Sequence, residues 1–487
     1  MSRSVHHLLQ LARAAAGGPV PQGTYRHRSH ALGSTDPVVW VHVITHQGEP
    51  FTFGALVVGT VDPATGGITD MRAFIPDHPL DTKATTETFN GFASWLTAHL
   101  DGPFKSRTDP DGRHVDVEDH TTSPGSLPRI VVTGPQTMQA LAQLGQPFSR
   151  EGHPAAVQHA GRWLRELEAM YRFAGQSVIV DVTSQLTDAF VVPLSAQEQT
   201  HLAATVAAIT GGPSAAWKAE QLTLGPVLDL STADAQWGRH TQLRRARKDG
   251  RGRDAARLRA HLERVYWQVA LQAAQTTTAG LRLLDRVQEE PRFAGKRRHE
   301  DMRRYLKAAS FLHGKHQGRR GQVGTISQNA RGMQERETAV ALAKLRQLAT
   351  DQLQRCQRWP LGEIVEGTRT DVRTERTPTG RFTPTGRQEQ VTMVDIDIDL
   401  PDQVCPPAVG SDLLWAGDDS FQTEGTVTAI DERTVTIRVV GTGTRKVKTF
   451  ELPACDVWLT GRPPFTGSTT IIPKAELPLT HTGGPTR

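Results

Sequence analysis

Short apolar segments rich in β-branched residues recur through the first 190 residues and predict strands. Three of them follow one another, at residues 37–45 (PVVWVHVIT), 51–60 (FTFGALVVGT) and 68–75. Two more come later, at residues 129–133 (RIVVT) and 177–182 (SVIVDV). Together with the helices between them, these segments predict the element order βββαβααβ.

Helices are predicted where apolar residues recur at intervals of three and four. The first such run covers residues 89–100, and residues 101–103 (DGP) are predicted to end it. Two further helices are predicted at residues 136–144 and 155–174. The helical period then dominates residues 195–360, which predicts a long helical region.

Beyond residue 361 the apolar period changes to two, which is typical of strands. Residues 363–375 and 389–400 predict two strands on either side of a flexible loop with a tandem repeat, TPTGRF then TPTGRQ. Residues 425–440 predict a hairpin, and residues 445–452 a further strand. Several short strands in this span indicate a small barrel or curled sheet.

The chain is therefore predicted to be multidomain, with an α/β part, an α part and a β part. The predicted organisation is an N-terminal helix and linker (1–34), an α/β domain (35–194), a basic helical region (195–360), a β-rich barrel domain (361–462) and a disordered tail (463–487).

Charge changes this picture more than composition does. The net charge is +5, yet residues 239–320 hold 22 Lys and Arg against 8 Asp and Glu, a net charge of +14, which leaves −9 elsewhere. Neutralising phosphates releases their counterions, so a concentrated positive charge favours nucleic-acid binding. Arginine, whose planar fork suits phosphate, supplies 45 of the 56 basic residues, although a GC-rich genome would give the same bias.

The candidate phosphate-binding residues fall into two clusters along the basic helical region. They are Arg244, Arg245, Arg247, Lys248, Arg251 and Arg253, and then Lys296, Arg297, Arg298, Arg303 and Arg304. Tyr266, Trp267 or Tyr305 would stack on bases if exposed. The alternatives are an ordinary solvated helix face and a docking surface for an acidic protein.

The element order over residues 35–190 resembles the ribonuclease-H-like arrangement. Within it, FTFGALVVG followed by RAFIPDHP and a helix rich in Phe and Trp looks like the exonuclease-like domain of RecB-type nuclease and helicase fusion proteins. The resemblance implies a nuclease in which carboxylates hold two metal ions, Mg²⁺ or Mn²⁺, that clamp the entering and leaving oxygens.

The carboxylates of this sequence fit that nuclease pattern incompletely. The first strand, VVWVHVIT, contains no acidic residue, although Asp36 precedes it and Asp181 lies in the fifth predicted strand. A catalytically inactive ribonuclease-H-like domain is therefore the preferred interpretation. Asp36 with Asp181 is the alternative catalytic pair.

A second acidic pattern occurs in VDIDIDL (394–400), where period two places Asp395, Asp397 and Asp399 on one face of a strand. Two carboxylates about 7 Å apart on such a face can bind a divalent cation. The preferred interpretation is a strand whose charged face discourages aggregation, and a metal site is the alternative.

The stretch VGSDLLWAGDDSFQTEGTVTAIDERTVTIRVV resembles the small accessory β-barrel of superfamily one helicases of the RNA-surveillance type. The resemblance spans about residues 408–460, and in those helicases the barrel touches nucleic acid and precedes a motor domain. This sequence has no G-x-x-x-x-G-K-[ST] phosphate loop. The resemblance therefore implies a subunit that a separate motor ATPase joins.

Other signatures of catalysis or metal binding are absent from the sequence. It has no G-x-S-x-G elbow, no H-E-x-x-H and no G-x-G-x-x-G after a strand. The closest histidine pairs, His6 with His7 and His313 with His316, have no carboxylate or cysteine at ligand spacing. No cofactor is predicted. With no apolar run of about 18 residues and no signal sequence, a cytoplasmic location without membrane contact is expected.

The sequence as a whole predicts a non-catalytic, nucleic-acid-binding accessory protein of a helicase-associated DNA- or RNA-processing system. A bacterial defence or mobile-element system is one setting for such a protein. The first alternative is a metal-dependent nuclease of ribonuclease-H-like type. The second is a structural assembly protein that binds an acidic partner subunit.

Overall fold

The computed structural model describes residues 3–30, 36–45, 52–105, 126–313, 326–382, 388–402, 404–417, 419, 421–441 and 454–460. The chain divides into two compact units, one of residues 1–315 and 350–357 and the other of residues 316–349 and 358–487. The chain thus leaves the first unit after Lys315 and returns to it for eight residues. The domain boundaries expected at residues 194 and 360 stay predictions.

The first unit contains a five-stranded mixed sheet in the order β3-β2-β1-β4-β5. Its strands are β1 (Val38–Thr45), β2 (Phe53–Val61), β3 (Ile68–Phe74), β4 (Arg129–Val132) and β5 (Ile179–Asp181). β1, β2 and β3 pair in antiparallel fashion, whereas β1, β4 and β5 run parallel. The five strands predicted in this part of the chain are confirmed.

The described helices of the first unit precede, connect and follow these strands. They are α1 (Arg3–Ala15), α2 (Thr82–Lys105), α3 (Pro135–Phe148), α4 (Ala155–Tyr171), α5 (Val182–Ala189), α6 (Leu202–Gly211), α7 (Pro213–Ala219), α8 (Leu230–Lys248), α9 (Gly252–Leu284), α10 (Pro291–His313) and α12 (Gln352–Cys356). Between α10 and α12 lies α11 (Ile326–Thr350), which belongs to the second unit except for its last residue.

Helices cover both faces of this sheet, and successive residues of β1 enter two different cores. Trp40 and Ile44 pack in a core with α5, α6, α8 and α9. Val41 and Val43 face the opposite core, which α2, α3, α4 and α10 complete. Because both faces are covered, β1 reads as a nearly continuous apolar run rather than as an alternation.

The predicted end of α2 at residues 101–103 is wrong, since the helix continues to Lys105. Asp101 is buried and accepts a hydrogen bond from Trp163 Nε1 of α4 at 2.8 Å. This tertiary contact holds the helix through a Gly and a Pro, residues of low helical propensity.

The second unit contains six antiparallel strands in addition to α11. They are β6 (Ile364–Phe382), β7 (Gln388–Asp399), β8 (Asp412–Trp415), β9 (Glu424–Asp431), β10 (Thr434–Gly441) and β11 (Ala454–Thr460). They pair in the order β10-β7-β6-β11-β8-β9, and β9 pairs with β10, so the sheet closes on itself. The β-rich prediction for this region is confirmed, and the strand predicted at residues 445–452 lies outside the described residues.

The loop predicted around the tandem repeat is only partly correct. β6 extends through the first repeat, TPTGRF, and its end pairs with β7 through Phe382 and Gln388. Backbone pairing to β7 therefore overrides the Pro and Gly of that repeat. The apolar core of this unit includes Val394, Ile396 and Ile398, all fully buried on alternate positions of β7.

Candidate functional site

The first predicted basic cluster lies on the surface, at the turn between α8 and α9. Its members are all exposed and are Arg244, Arg245, Arg247, Lys248, Arg251 and Arg253. The four residues from α8 occupy its C-terminal turns, where the helix macrodipole favours positive charge. The structure thus brings this cluster together and gives part of it a structural role.

Half of this cluster is paired with carboxylates. Arg247 pairs with Asp77, Arg244 with Asp81 at 3.8 Å, and Arg251 with Asp249 and Asp254 at 3.1 and 3.7 Å. Within the described part of the chain, Arg245, Lys248 and Arg253 have no such partner. These three side chains are therefore the ones whose charge is fully available to a ligand.

The positive surface continues along α9. Arg253, Arg257, Arg264 and Trp267 are exposed, and their spacings of four, seven and three residues place them on one helix face. We call these four residues the basic stripe. At a rise of 1.5 Å per residue, the stripe extends over about 21 Å. Its three arginines form no ion pair with any described residue.

The charge near the basic stripe is strongly unbalanced. Residues 239–264 contain ten Lys and Arg and three Asp and Glu, a net charge of +7. Burial and the positive charges of Arg239 and Arg264 lower the pKa of His261 on the same helix. A positive potential at this helix is the expected result.

Only one of the three aromatic residues proposed to stack on bases is available for that role. Tyr266 and Tyr305 are each 1% exposed, so stacking by these two side chains is excluded. Their hydroxyls contact His240 Nε2 and the Leu100 carbonyl instead. Trp267 is 38% exposed and belongs to the basic stripe.

The second predicted basic cluster, on α10, does not join the first, since α10 packs on the opposite face of the sheet. Lys296 and Arg303 are exposed, but the other three members turn inward to carboxylates. Those pairs are Arg297 with Glu290 at 2.7 Å, Arg298 with Asp36, and Arg304 with Asp301 at 3.2 Å. The net charge of this segment therefore overstates its free positive surface.

Asp36 is a buried anchor for two of these arginines and lies before the start of β1. It accepts hydrogen bonds from the Leu127 backbone at 2.9 Å, from Arg129 Nε at 3.2 Å and from Arg298 Nη2 at 2.7 Å. Burial raises its pKa, but the Arg298 and Leu127 hydrogen bonds and the Arg129 charge outweigh burial, so the pKa is lowered.

Asp181 is the N-cap of α5, where it accepts hydrogen bonds from the Ser184 backbone at 3.0 Å and from Tyr171 Oη at 2.6 Å. The register aligns Asp181 with Val132 of β4, at the carboxyl end of the parallel strands. Asp36 precedes the amino end of β1 by contrast. The two carboxylates are thus about five residues, or about 16 Å, apart along the strands, and the structure does not bring them together.

The three aspartates of β7 point away from the core, as the alternation predicts. Arg438 binds Asp395 through two hydrogen bonds of 2.7 and 2.8 Å. Arg373 Nη2 and Thr436 Oγ1 donate to Asp397 at 2.9 and 2.7 Å, and Asp399 is exposed. Cross-strand arginines on both neighbouring strands thus neutralise two of the three charges that a metal ion would need.

Among the residues that the structure describes, one set of metal-ligating groups comes together that the sequence did not indicate. Asp101, His159 and His313 present ligand atoms that all lie within 4.8 Å of one another. The three residues belong to α2, α4 and α10. Because they are 58 and 154 residues apart in sequence, no spacing motif could have predicted the cluster; only the packing of three helices could.

No family model, curated protein or solved structure matches this chain. Among the described helices, no stretch combines the length and the apolar character that a bilayer crossing requires.

Proposed function

We propose that this protein binds nucleic acid through the basic stripe of α9 and the adjoining α8–α9 turn. The observation that carries the proposal is the alignment of Arg253, Arg257 and Arg264 on one exposed helix face without a carboxylate partner among the described residues. Phosphates recur every 3.4 Å along each DNA strand, so a stripe of about 21 Å covers about six nucleotide steps.

The ligand class follows from the kind of groups present. Guanidinium forks bind phosphate through paired hydrogen bonds, and an exposed indole stacks on any base without regard to sequence. Both features favour backbone-directed binding with little sequence preference. Trp267 further favours a ligand with unpaired bases, since a base within a duplex offers no free face.

The fold of the first unit supports a ribonuclease-H-like assignment, which we also propose. Three antiparallel strands, followed by two strands parallel to the first in the order β3-β2-β1-β4-β5, are the arrangement to which the sequence is similar. The nuclease alternative has no such support, because Asp36 and Asp181 lie at opposite ends of the parallel strands. An accessory role beside a separate motor ATPase is the corresponding proposal for the whole protein, and it rests on the resemblance of residues 408–460.

The test is a salt titration of binding to labelled single- and double-stranded DNA and RNA, followed by fluorescence anisotropy. In the triple variant Arg253→Glu, Arg257→Glu, Arg264→Glu we expect affinity to fall at least tenfold. The slope of log K against log salt is negative, and its magnitude should decrease by about one for each phosphate that the variant no longer binds.

A matched control reverses three exposed arginines at the α3–α4 region, Arg150, Arg165 and Arg172, and changes net charge by the same amount. Affinity and salt slope should stay near those of the unmodified protein. Equal losses in both triple variants would show that net charge alone drives binding, and unchanged binding in the stripe variant would exclude this surface.

A further inference from the structure

Three helices meet at a compact group of nitrogen and oxygen ligands on the face of the sheet opposite the basic stripe. The Asp101 carboxylate of α2 lies 3.0 and 3.2 Å from His159 Nε2 of α4 and 3.0 Å from His313 Nε2 at the end of α10. The two imidazole rings are 5.0 Å apart, centre to centre. All three side chains thus converge on one point.

We propose that Asp101, His159 and His313 form a binding site for one divalent transition-metal ion of the zinc class. Zinc binds imidazole nitrogen and carboxylate oxygen at about 2.0–2.2 Å, which places tetrahedral ligands about 3.3 Å from one another. The Nε2 to carboxylate distances are already within a few tenths of an ångström of that value. Binding therefore requires each Nε2 to exchange its hydrogen bond to Asp101 for the ion, with a rearrangement of three ligand atoms that already lie within 4.8 Å of one another.

The chemistry of the set selects the class of ion. Two imidazoles and one carboxylate suit Zn²⁺, and also Co²⁺, Ni²⁺ or Fe²⁺, whereas Mg²⁺ and Ca²⁺ require oxygen ligands throughout. Asp101 supplies the carboxylate oxygen of this set, and its Oδ1 lies close to both histidine nitrogens.

The surroundings of Asp101 resemble those of a metal ligand. Trp163 Nε1 donates to Asp101 Oδ1 at 2.8 Å and fixes the orientation of the carboxylate, as outer-shell donors do in metal sites. Trp163 in turn stacks on Tyr305 of α10, with ring centroids 6.0 Å apart. The side chain of Asp101 is 5% exposed, whereas those of His159 and His313 are 21% and 25% exposed. Solvent therefore reaches the histidines, and a water molecule can supply a fourth ligand.

A bound ion would tie together three helices whose ligands are far apart in sequence. Such a cross-link stabilises the folded state, because the unfolded chain does not hold the ligands in place. The site lies on α2, α4 and α10, whereas the proposed nucleic-acid interface lies on α8 and α9. The metal proposal therefore does not depend on the proposed function, and a negative result for one leaves the other unaffected.

The experiment uses the untagged full-length protein, stripped with a chelator and titrated with Zn²⁺ in a calorimeter. One equivalent should bind, and the thermal unfolding midpoint should rise with the ion present. Co²⁺ in place of Zn²⁺ should give the visible absorption bands of a four- or five-coordinate ion, a readout that needs no variant.

The variants His159→Gln, His313→Gln and Asp101→Asn should each weaken Zn²⁺ binding by at least tenfold and abolish the rise in melting midpoint. The matched control is His299→Gln, an exposed histidine on α10, which should bind as the unmodified protein does. Absence of a tight equivalent in the unmodified protein would overturn the proposal, and the cluster would then be a hydrogen-bonded structural group. The proposal would also be overturned if the His159→Gln and His313→Gln variants bound Zn²⁺ with the same affinity as the unmodified protein.

Discussion

Asp36 accepts hydrogen bonds from arginines of two different elements, Arg129 of β4 and Arg298 of α10, while its own side chain is fully buried. A buried ion pair contributes little net stability when it is compared with a well-packed apolar substitute. Removal of one partner is different, because the remaining charges then lie in a low-dielectric interior without compensation. Asp36 therefore holds α10 against the sheet.

The variant Asp36→Asn should lower the free energy of unfolding of the first unit by about 3–5 kcal/mol at neutral pH. The control is Asp395→Asn, whose partner Arg438 is 40% exposed, and which should cost about 1 kcal/mol or less. Urea denaturation followed by circular dichroism measures both. Similar costs for the two variants would contradict the assigned role of burial.

The stability difference between the unmodified protein and the Asp36→Asn variant should also depend on pH, with a sign fixed by the lowered pKa of Asp36. A depressed pKa means that the carboxylate stabilises the folded state above its unfolded pKa of about 4. That stabilisation is lost as the pH falls through the folded-state value. The gap between the two proteins should therefore be constant from pH 7 to about pH 5 and shrink below about pH 4.

At the scale of secondary-structure elements, the close packing of α3 against α4 depends on glycine at two positions. A Cβ added to Gly161 would lie 2.5 Å from the Ser149 backbone nitrogen and 2.6 Å from the Phe148 carbonyl carbon. A Cβ added to Gly145 would lie 3.0 Å from the Gly161 carbonyl oxygen. These close contacts involve backbone atoms, which cannot move aside as the end of a flexible side chain can.

Gly161→Ala should therefore destabilise the first unit by about 1–3 kcal/mol, even though alanine is the better helix former. Gly295→Ala on α10 is the matched control, since nothing lies within 4 Å of its added Cβ. The Gly295→Ala change should stabilise the first unit by up to about 1 kcal/mol. Opposite shifts in the thermal midpoint are the expected result, and shifts of the same sign would contradict the packing argument.

Periodicity predicts elements well and their ends poorly. The apolar runs at residues 37–45 and 129–133 predicted β1 and β4 because a strand buried on both faces needs such a run. The end predicted for α2 is too early, because a contact between Asp101 and Trp163 on another helix outweighs local propensity. The metal-ligand candidates were missed for the same reason, since only tertiary packing brings His159 and His313 to Asp101.

At the scale of the whole molecule, the first unit is completed by residues far along the chain. Asp351 is fully buried and accepts hydrogen bonds from the Thr24 backbone at 2.9 Å and from the Leu353 backbone at 3.0 Å. A Cβ at Gly23 would lie 1.9 Å from Asp351 Oδ2, so any side chain at this position would displace the carboxylate. One carboxylate thus both caps α12 and secures the N-terminal segment.

Asp351→Ala should destabilise the first unit by about 2–4 kcal/mol, the sum of a lost helix cap and the lost hydrogen bond that the buried carboxylate accepts from the Thr24 backbone. The comparison is Asp229→Ala, which removes an exposed cap of α8 that accepts from the Thr232 backbone at 2.9 Å. That variant should cost clearly less, since it removes an exposed cap and no hydrogen bond to a distant segment. Equal costs, measured by urea denaturation, would show that the hydrogen bond with Thr24 contributes nothing.

The interrupted first unit also sets an order of events on the ribosome. Residues 1–315 emerge first, but Asp351 follows only after another 36 residues have been added, most of which belong to the second unit. At about 5–20 residues per second, the nascent chain waits about 2–7 s for the carboxylate that secures Thr24. A polypeptide released before that point lacks the hydrogen bond between Asp351 and Thr24. Early termination therefore exposes an incomplete domain to proteases, even though most of its core has been made.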